Sequence, residues 1–174
     1  MRKEIIISGF GGQGVLFAGQ VIAYAAMDSG KEVTWIPSYG PEMRGGTAYC
    51  LVVISDKPIG SPIIKNPKHL VAMNRPSLDK FANVIKPGGV ILSNASLIPN
   101  PAGRSDVDEL RVQTGEIAAQ AGSAKAANIV ALARCARNVV LVGDPMQLPQ
   151  PLQGAHPGGS GLSALEHILH GHAT

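Results

Sequence analysis

Glu4-Ile5-Ile6-Ile7-Ser8-Gly9-Phe10-Gly11-Gly12-Gln13-Gly14 is the stretch that decides the fold. A short β-branched run reads as a buried strand. The glycines after it permit positive φ and let a ligand approach the backbone closely. Residues 15–27 follow as a helix, with Leu16, Gly19, Gln20 and Ala23 along one side and Val15, Ala18, Ile22 and Ala25 along another. Both sides are small or apolar, so this helix is expected to be buried. Asp28-Ser29-Gly30 ends it on a glycine cap.

The alternation continues outward from that unit. Glu32-Val33-Thr34-Trp35-Ile36 reads as a strand ending at Pro37, and a strand within 47–55 carries Tyr49-Cys50-Leu51-Val52-Val53-Ile54. Residues 56–68 hold three prolines and read as a loop, with a short extended piece at Ile63-Ile64. Leu70-Val71-Ala72-Met73 is a core strand, and Pro76 opens a helix through Leu78, Phe81, Ala82 and Ile85. Pro87-Gly88-Gly89 turns the chain into the strand Val90-Ile91-Leu92-Ser93. Residues 95–105 are a loop, and Arg111-Val112-Gln113 is a short strand. Thr114 is expected to cap a helix through Ile117, Ala118 and Ala121, and residues 124–137 form another. The expected fold is α/β: a single Rossmann-like domain, 1–137, with a mainly parallel sheet flanked by helices. An irregular C-terminal tail, 138–174, follows it.

The chain has 174 residues, enough for one domain with a core. Only 16% are charged against 45% hydrophobic, which fits a protein that covers part of its surface with a partner. The formal charge is +3 and its 15 Lys and Arg residues are scattered along the chain, so no nucleic-acid stripe is expected. No apolar run approaches the ~20 residues that span a bilayer, and a cytoplasmic protein without membrane attachment is expected. Cys50 and Cys135 are too few for a disulfide framework or a four-cysteine cluster site. Cys50 lies on an apolar strand and is expected to be buried rather than reactive.

Backbone N–H groups at a helix N-terminus favour an anion, so a phosphate is one reading of Gly9, Gly11, Gly12, Gln13 and Gly14. A tight turn that binds nothing is the other. Ordinary dinucleotide binding is disfavoured, because the second strand ends Ile36-Pro37-Ser38 without the carboxylate that holds a ribose. The Lys-Ser/Thr pair of a nucleoside triphosphate loop is missing too. A second loop, Ser38-Tyr39-Gly40-Pro41-Glu42-Met43-Arg44-Gly45-Gly46, places a phenol, a carboxylate and a guanidinium together. Arg44 beside Gly45 and Gly46 could present its fork to an anion, or pair with Glu42 on the surface.

Ile-Ser-Gly-Phe-Gly-Gly-Gln-Gly at 7–14 and Pro-Ser-Tyr-Gly-Pro-Glu-Met-Arg-Gly-Gly-Thr-Ala-Tyr-Cys at 37–50 closely resemble the gamma subunit of 2-oxoacid:ferredoxin oxidoreductases. Leu70-Val71-Ala72-Met73-Asn74 and Lys86-Pro87-Gly88-Gly89-Val90 resemble the same family, over roughly residues 3–134. The resemblance implies an accessory subunit of an enzyme that decarboxylates a 2-oxoacid to an acyl-coenzyme A and reduces ferredoxin. It implies thiamine diphosphate on alpha and beta subunits and iron–sulfur clusters on a delta subunit or domain, with no cofactor held tightly by this chain. Coenzyme A phosphates are then the implied guest at Gly9, Gly11, Gly12, Gln13 and Gly14, with Tyr39, Arg44, Gly45 and Gly46 nearby. Packing of both loops against the alpha and beta subunits stands beside that reading, as does a stand-alone protein that binds a phosphate-bearing cofactor.

The tail carries another resemblance. Val139-Val140-Leu141-Val142-Gly143-Asp144-Pro145-Met146-Gln147-Leu148-Pro149 is similar to motif III of superfamily 1 helicases, with Gln147 at the glutamine position. The chain lacks a phosphate loop and an Asp-Glu pair before residue 139, so no ATPase activity is expected. A chimeric chain is one reading. Residues 144–161 are expected to be the most mobile, and residues 162–170 a short helix. His167 and His170 are three apart on it, but without further ligands no metal site is expected. No catalytic acid, base or nucleophile stands out.

Overall fold

The computed structural model describes residues 2–39, 47–64 and 67–135. Among these residues six strands form one sheet: β1 Arg2–Phe10, β2 Glu32–Tyr39, β3 Thr47–Ser55, β4 His69–Ala72, β5 Val90–Asn94 and β6 Asp108–Val112. Their spatial order is β2-β3-β1-β4-β5-β6. The helices are α1 Val15–Asp28, α2 Arg75–Phe81, α3 Thr114–Gln120 and α4 Ala127–Cys135. Short 3₁₀ turns at Ala82–Val84 and Ala124–Ala126 extend α2 and lead into α4.

The pairs β1–β4, β4–β5 and β5–β6 are parallel, while β1–β3 and β2–β3 are antiparallel. The sheet is therefore mainly parallel, as expected. The antiparallel part is β3, which follows β2 after only seven residues, too few for the crossover of a dozen or more that a parallel pair needs.

Alternation along the strands splits the core into two layers. Ile7, Cys50, Val52, Val71, Leu92 and Val112 face α1 and α4. Ile6, Leu70, Ala72 and Ile91 face α2 and its extension, where Leu78, Phe81 and Ile85 meet them. Burial on both faces accounts for the continuous apolar runs of β1, β4 and β5.

Three sequence expectations are corrected. First, α1 is buried on one side only. Val15, Ala18, Gly19 and Ala23 are buried, whereas Phe17, Val21, Tyr24 and Met27 are exposed, Tyr24 to 65%. A helix lying on a sheet has one covered face, and apolar residues on its other faces stay in water unless another element lies over them. Second, β2 does not stop at Pro37 but runs on to Tyr39, with Pro37 opposite Cys50. Among the described strands it lies at the sheet edge, the place where proline is accommodated.

Third, Thr114 is the first residue of α3 rather than its cap. Gln113 occupies the cap position without a side-chain hydrogen bond, and the buried Thr114 hydroxyl finds no partner among the described residues. The α2 start is off by one in the same sense, with Pro76 second in the helix. There Asn74 caps through Oδ1, which accepts from Ser77 N–H at 2.9 Å. The glycine end of α1 is as expected: Gly30 has φ 71°, and its N–H donates to the Met27 carbonyl at 2.8 Å. The tail's strand at 139–142, the short helix at 162–170 with His167 and His170, and the mobile 144–161 lie outside the described residues.

Candidate functional site

The glycine loop turns between β1 and α1 at the carboxyl end of the sheet. Gln13 N–H donates to the Phe10 carbonyl at 3.1 Å, and Gly14 starts the helix by accepting from Ala18 N–H at 2.9 Å. Gly12 and Gly14 sit at φ 92° and 69°, where only glycine is unstrained. The four loop glycines have different surroundings. A Cβ on Gly9 would lie 2.6 Å from Gln13 Oε1 and 2.8 Å from a Val15 methyl. A Cβ on Gly14 would lie 2.5 Å from Asn128 Nδ2, whose amide donates to the Gly14 carbonyl at 3.2 Å. Those two glycines serve packing. At Gly11 and Gly12 an added Cβ meets no heavy atom of the described residues within 4 Å. The outward-facing part of the loop is therefore Gly11-Gly12.

Gln13 faces inward. Its Oε1 accepts from Phe10 N–H at 2.6 Å and from Asn74 Nδ2 at 3.1 Å, and its Nε2 donates to the Met73 carbonyl at 3.3 Å. The same Met73 carbonyl accepts from Asn94 Nδ2 at 3.2 Å. The side chain thus braces the loop against the ends of β4 and β5, with both ends of its amide occupied by protein.

Two clefts open beside the loop. One, of about 240 Å³, is lined by Phe10, Gly11, Gly12, Phe17, Tyr39 and Ala48 among others. Tyr39 is 72% exposed there. The other, of about 490 Å³, is lined by Gly12, Gln13, Asn94, Ser96, Gly115 and Lys125 among others. From β1 the sheet extends to β3 and β2 on one side and to β4, β5 and β6 on the other. The larger cleft thus lies at the carboxyl ends of β1, β4 and β5, where connections diverge and open α/β sheets bind ligands.

The chemistry available is anion recognition. The first turn of α1 contains no acidic residue, so its N–H groups and the helix dipole are not neutralised from within. Lys125 adds a cation to the larger cleft. Ser96 joins its wall, accepting from Gly115 N–H at 2.9 Å and donating to the Glu116 carboxylate. That bond holds the Glu116 carboxyl below its usual range. Among the described residues no group of three His, Cys, Asp or Glu is placed to hold a metal.

Cys50 lies away from the clefts, buried beneath α1, and donates to the Val15 carbonyl at 3.5 Å. Burial pushes its thiol up to about 11, partly offset by the Trp35 side chain and the Gly19 backbone. The reading of Cys50 as buried holds.

Of the candidate residues, the structure gathers Gly9, Gly11, Gly12, Gln13, Gly14 and Tyr39 at one end of the sheet. Arg44, Gly45 and Gly46, with Glu42, lie outside the described residues. Asn94, Ser96, Lys125 and Asn128 went unmarked in the sequence. The usable signal was polar residues directly after apolar runs, at Met73-Asn74 and Ser93-Asn94, because strand ends in such folds face the crevice. Lys125 and Asn128 offered none, since only the tertiary fold returns them to the loop.

A family model described as pyruvate ferredoxin/flavodoxin oxidoreductase matches residues 4–167. Ketoisovalerate oxidoreductase subunit VorA of Methanothermobacter thermautotrophicus is 48% identical over 129 residues, covering 74% of this chain and 27% of the relative. 2-Oxoglutarate synthase subunit KorC of Methanocaldococcus jannaschii is 46% identical over 99 residues, covering 56% of this chain and 53% of the relative. The chain thus spans a minor part of the first relative and about half of the second. Among solved structures, a keto/oxoacid ferredoxin oxidoreductase gamma subunit from Geobacter sulfurreducens matches with TM-score 0.66 at 35% identity, over 76% of this chain and 73% of that one.

Proposed function

The chain belongs to the pyruvate ferredoxin/flavodoxin oxidoreductase family, and from that premise we propose that it is the gamma-type subunit of a 2-oxoacid:ferredoxin oxidoreductase. In this reading it is accessory to alpha and beta subunits that carry thiamine diphosphate, and to a delta subunit or domain that carries iron–sulfur clusters. The assembled cytoplasmic enzyme converts a 2-oxoacid to its acyl-coenzyme A and passes the electrons to ferredoxin. Thiamine diphosphate would supply the decarboxylation chemistry on the partners. This chain would place and hold coenzyme A.

One observation carries the proposal: among the described residues nothing covers Gly11 and Gly12 above the carboxyl ends of β1 and β4. Their surroundings fit a diphosphate. Backbone N–H groups at the start of α1 would meet the phosphate oxygens, Lys125 would neutralise charge across the larger cleft, and Tyr39 would flank the smaller one. Gln13 holds the loop in shape rather than touching the guest.

The test is co-purification of the tagged chain with the alpha and beta subunits, followed by coenzyme A-dependent viologen reduction with several 2-oxoacids. Stable assembly with activity supports the proposal and names the oxoacid. A chain that stays alone while a native gamma subunit assembles in parallel overturns it. If that lone chain still binds coenzyme A, a stand-alone phosphate-cofactor binding protein takes its place.

A further inference from the structure

The 15 Lys and Arg residues are scattered in the sequence, yet the topology collects several of them. Strands β1, β4 and β5 are mutually parallel, so their amino ends share one rim, opposite the glycine loop. Arg2, Lys3 and Glu4 reach that rim from β1, Lys68 and His69 from the start of β4, and Lys86 from the turn before β5. These six line a pocket of about 180 Å³.

The charge there is lopsided. Among the described residues Glu4 is the only carboxylate lining the pocket, and it is engaged by Arg2 at 2.9 Å. Arg2 also donates to the Ser61 carbonyl at 3.2 Å, which fixes the guanidinium at the rim. His69 Nδ1 donates to the Glu4 carbonyl at 3.1 Å, so its ring is held as well. Beyond the lining stand Asp56, which follows the Ser55 paired with Arg2 and is bound by Lys31, and Asp106 and Asp108. Asp106 is bound by Arg104, and Asp108 sits outside Val90 on β6. Among the described residues no ion pair forms at Lys3, Lys68 or Lys86. Three ammonium groups drawn from three separate segments repel one another unless an anion lies between them.

We propose that this rim is a second anion site, which takes the diphosphate or phosphate-monoester group of a ligand between Lys3, Lys68 and Lys86. The pocket is smaller than the ~300 Å³ at which ordinary small-molecule sites begin, so the group it holds is compact and charged while the remainder of the ligand lies outside. Lysine binds phosphate as a point charge on a flexible stem, which suits an open rim better than a rigid fork. The site is separate from the glycine loop and does not depend on the function proposed above.

Titration of the full chain with inorganic pyrophosphate at low ionic strength tests the proposal, with sodium chloride at matched ionic strength as control. The expected result, measured in a Lys125→Ala background that removes the cation beside the glycine loop, is saturable binding that Lys68→Gln with Lys86→Gln weakens at least tenfold. All three lysines are exposed, and thermal denaturation verifies that the variants are folded. Heat or shift reproduced by sodium chloride alone overturns the site. So does binding that is lost in Lys125→Ala and kept in the rim variant, because it then belongs to the glycine loop. Tighter, rim-dependent binding of poly-glutamate than of pyrophosphate overturns it in favour of a docking surface for an acidic protein.

Discussion

Gly19 of α1 lies directly against Cys50 of β3: a methyl group placed on Gly19 would overlap the Cys50 sulfur and stand 2.8 Å from the Trp35 indole nitrogen. That contact sets the height of α1 above the sheet. Gly19→Ala gains up to ~1 kcal/mol of helix propensity but overpacks a full core, at about 1–3 kcal/mol. A net loss of about 1 kcal/mol or more is expected in chemical denaturation. Adding Cys50→Ala should recover part of it, and strict additivity of the two changes would contradict direct contact.

The same burial makes Cys50 a pH sensor of stability. Its thiol rises from 9.0 to about 11 because burial disfavours the thiolate. A group whose folded value is raised contributes stability below the unfolded value and loses it as pH climbs towards the folded one. The window is therefore pH 9 to 11, and a rise of that size corresponds to about 2–3 kcal/mol. Wild type should lose more stability across that window than Cys50→Ala, and parallel curves would refute the assignment. In a Cys135→Ser background, Cys50 should resist a thiol reagent at pH 8 until denaturant is added.

The loop glycines separate packing from binding. Gly11→Ala places a methyl group in open space, so stability should stay within about 0.5 kcal/mol while coenzyme A affinity falls. Gly14→Ala is strained at φ 69° and collides with Asn128, and should cost about 1–3 kcal/mol. Unchanged coenzyme A affinity in a folded Gly11→Ala chain would mean that Gly11 touches no guest.

Gln13→Ala leaves the Phe10 N–H and the Asn74 amide without their acceptor. Such losses at partly buried sites cost about 1–3 kcal/mol. Gln13→Glu offers the same acceptor geometry without the donor to Met73 and should be milder at neutral pH. Equal losses in thermal denaturation would argue against the brace.

Phe17, Val21 and Tyr24 lie on one exposed side of α1, at helical spacing. If partner subunits cover this side, Phe17→Ser with Tyr24→Ser should leave the isolated chain folded and make it more soluble. The same pair should weaken co-purification with alpha and beta subunits at least tenfold. Undiminished assembly would place the interface elsewhere.

The strand–glycine–helix unit at residues 4–30 was legible because β-branched runs, positive-φ glycines and a glycine stop each act locally. The two-faced burial of Ile6 and Ile7 followed from the same pattern. The exposure of Phe17 and Tyr24 was not legible, because periodicity reports which residues are apolar and cannot report how many sides of a helix find a neighbour. The inward turn of Gln13 was hidden too, since its partners Met73 and Asn74 are sixty residues away. At Thr114, the preference of threonine for cap positions lost to a chain path that put Gln113 there instead. The collection of Lys3, Lys68 and Lys86 belongs to sheet order alone.

The nine-residue ladder from Arg2↔Ser55 to Phe10↔Thr47 has a consequence for how the chain comes off the ribosome. The pairings among β1, β2 and β3 all lie within residues 2–55, with α1 enclosed between them. That half can zip together as soon as it emerges, β2 and β3 as a local hairpin and β1 closing onto it. The parallel half has no such option: β4 takes its register from β1, and β5 and β6 add in turn. Local pairings form faster than distant ones, so synthesis order and assembly order coincide. A circular permutant that began at β4 would make the parallel strands wait for their template, and should refold more slowly at similar final stability.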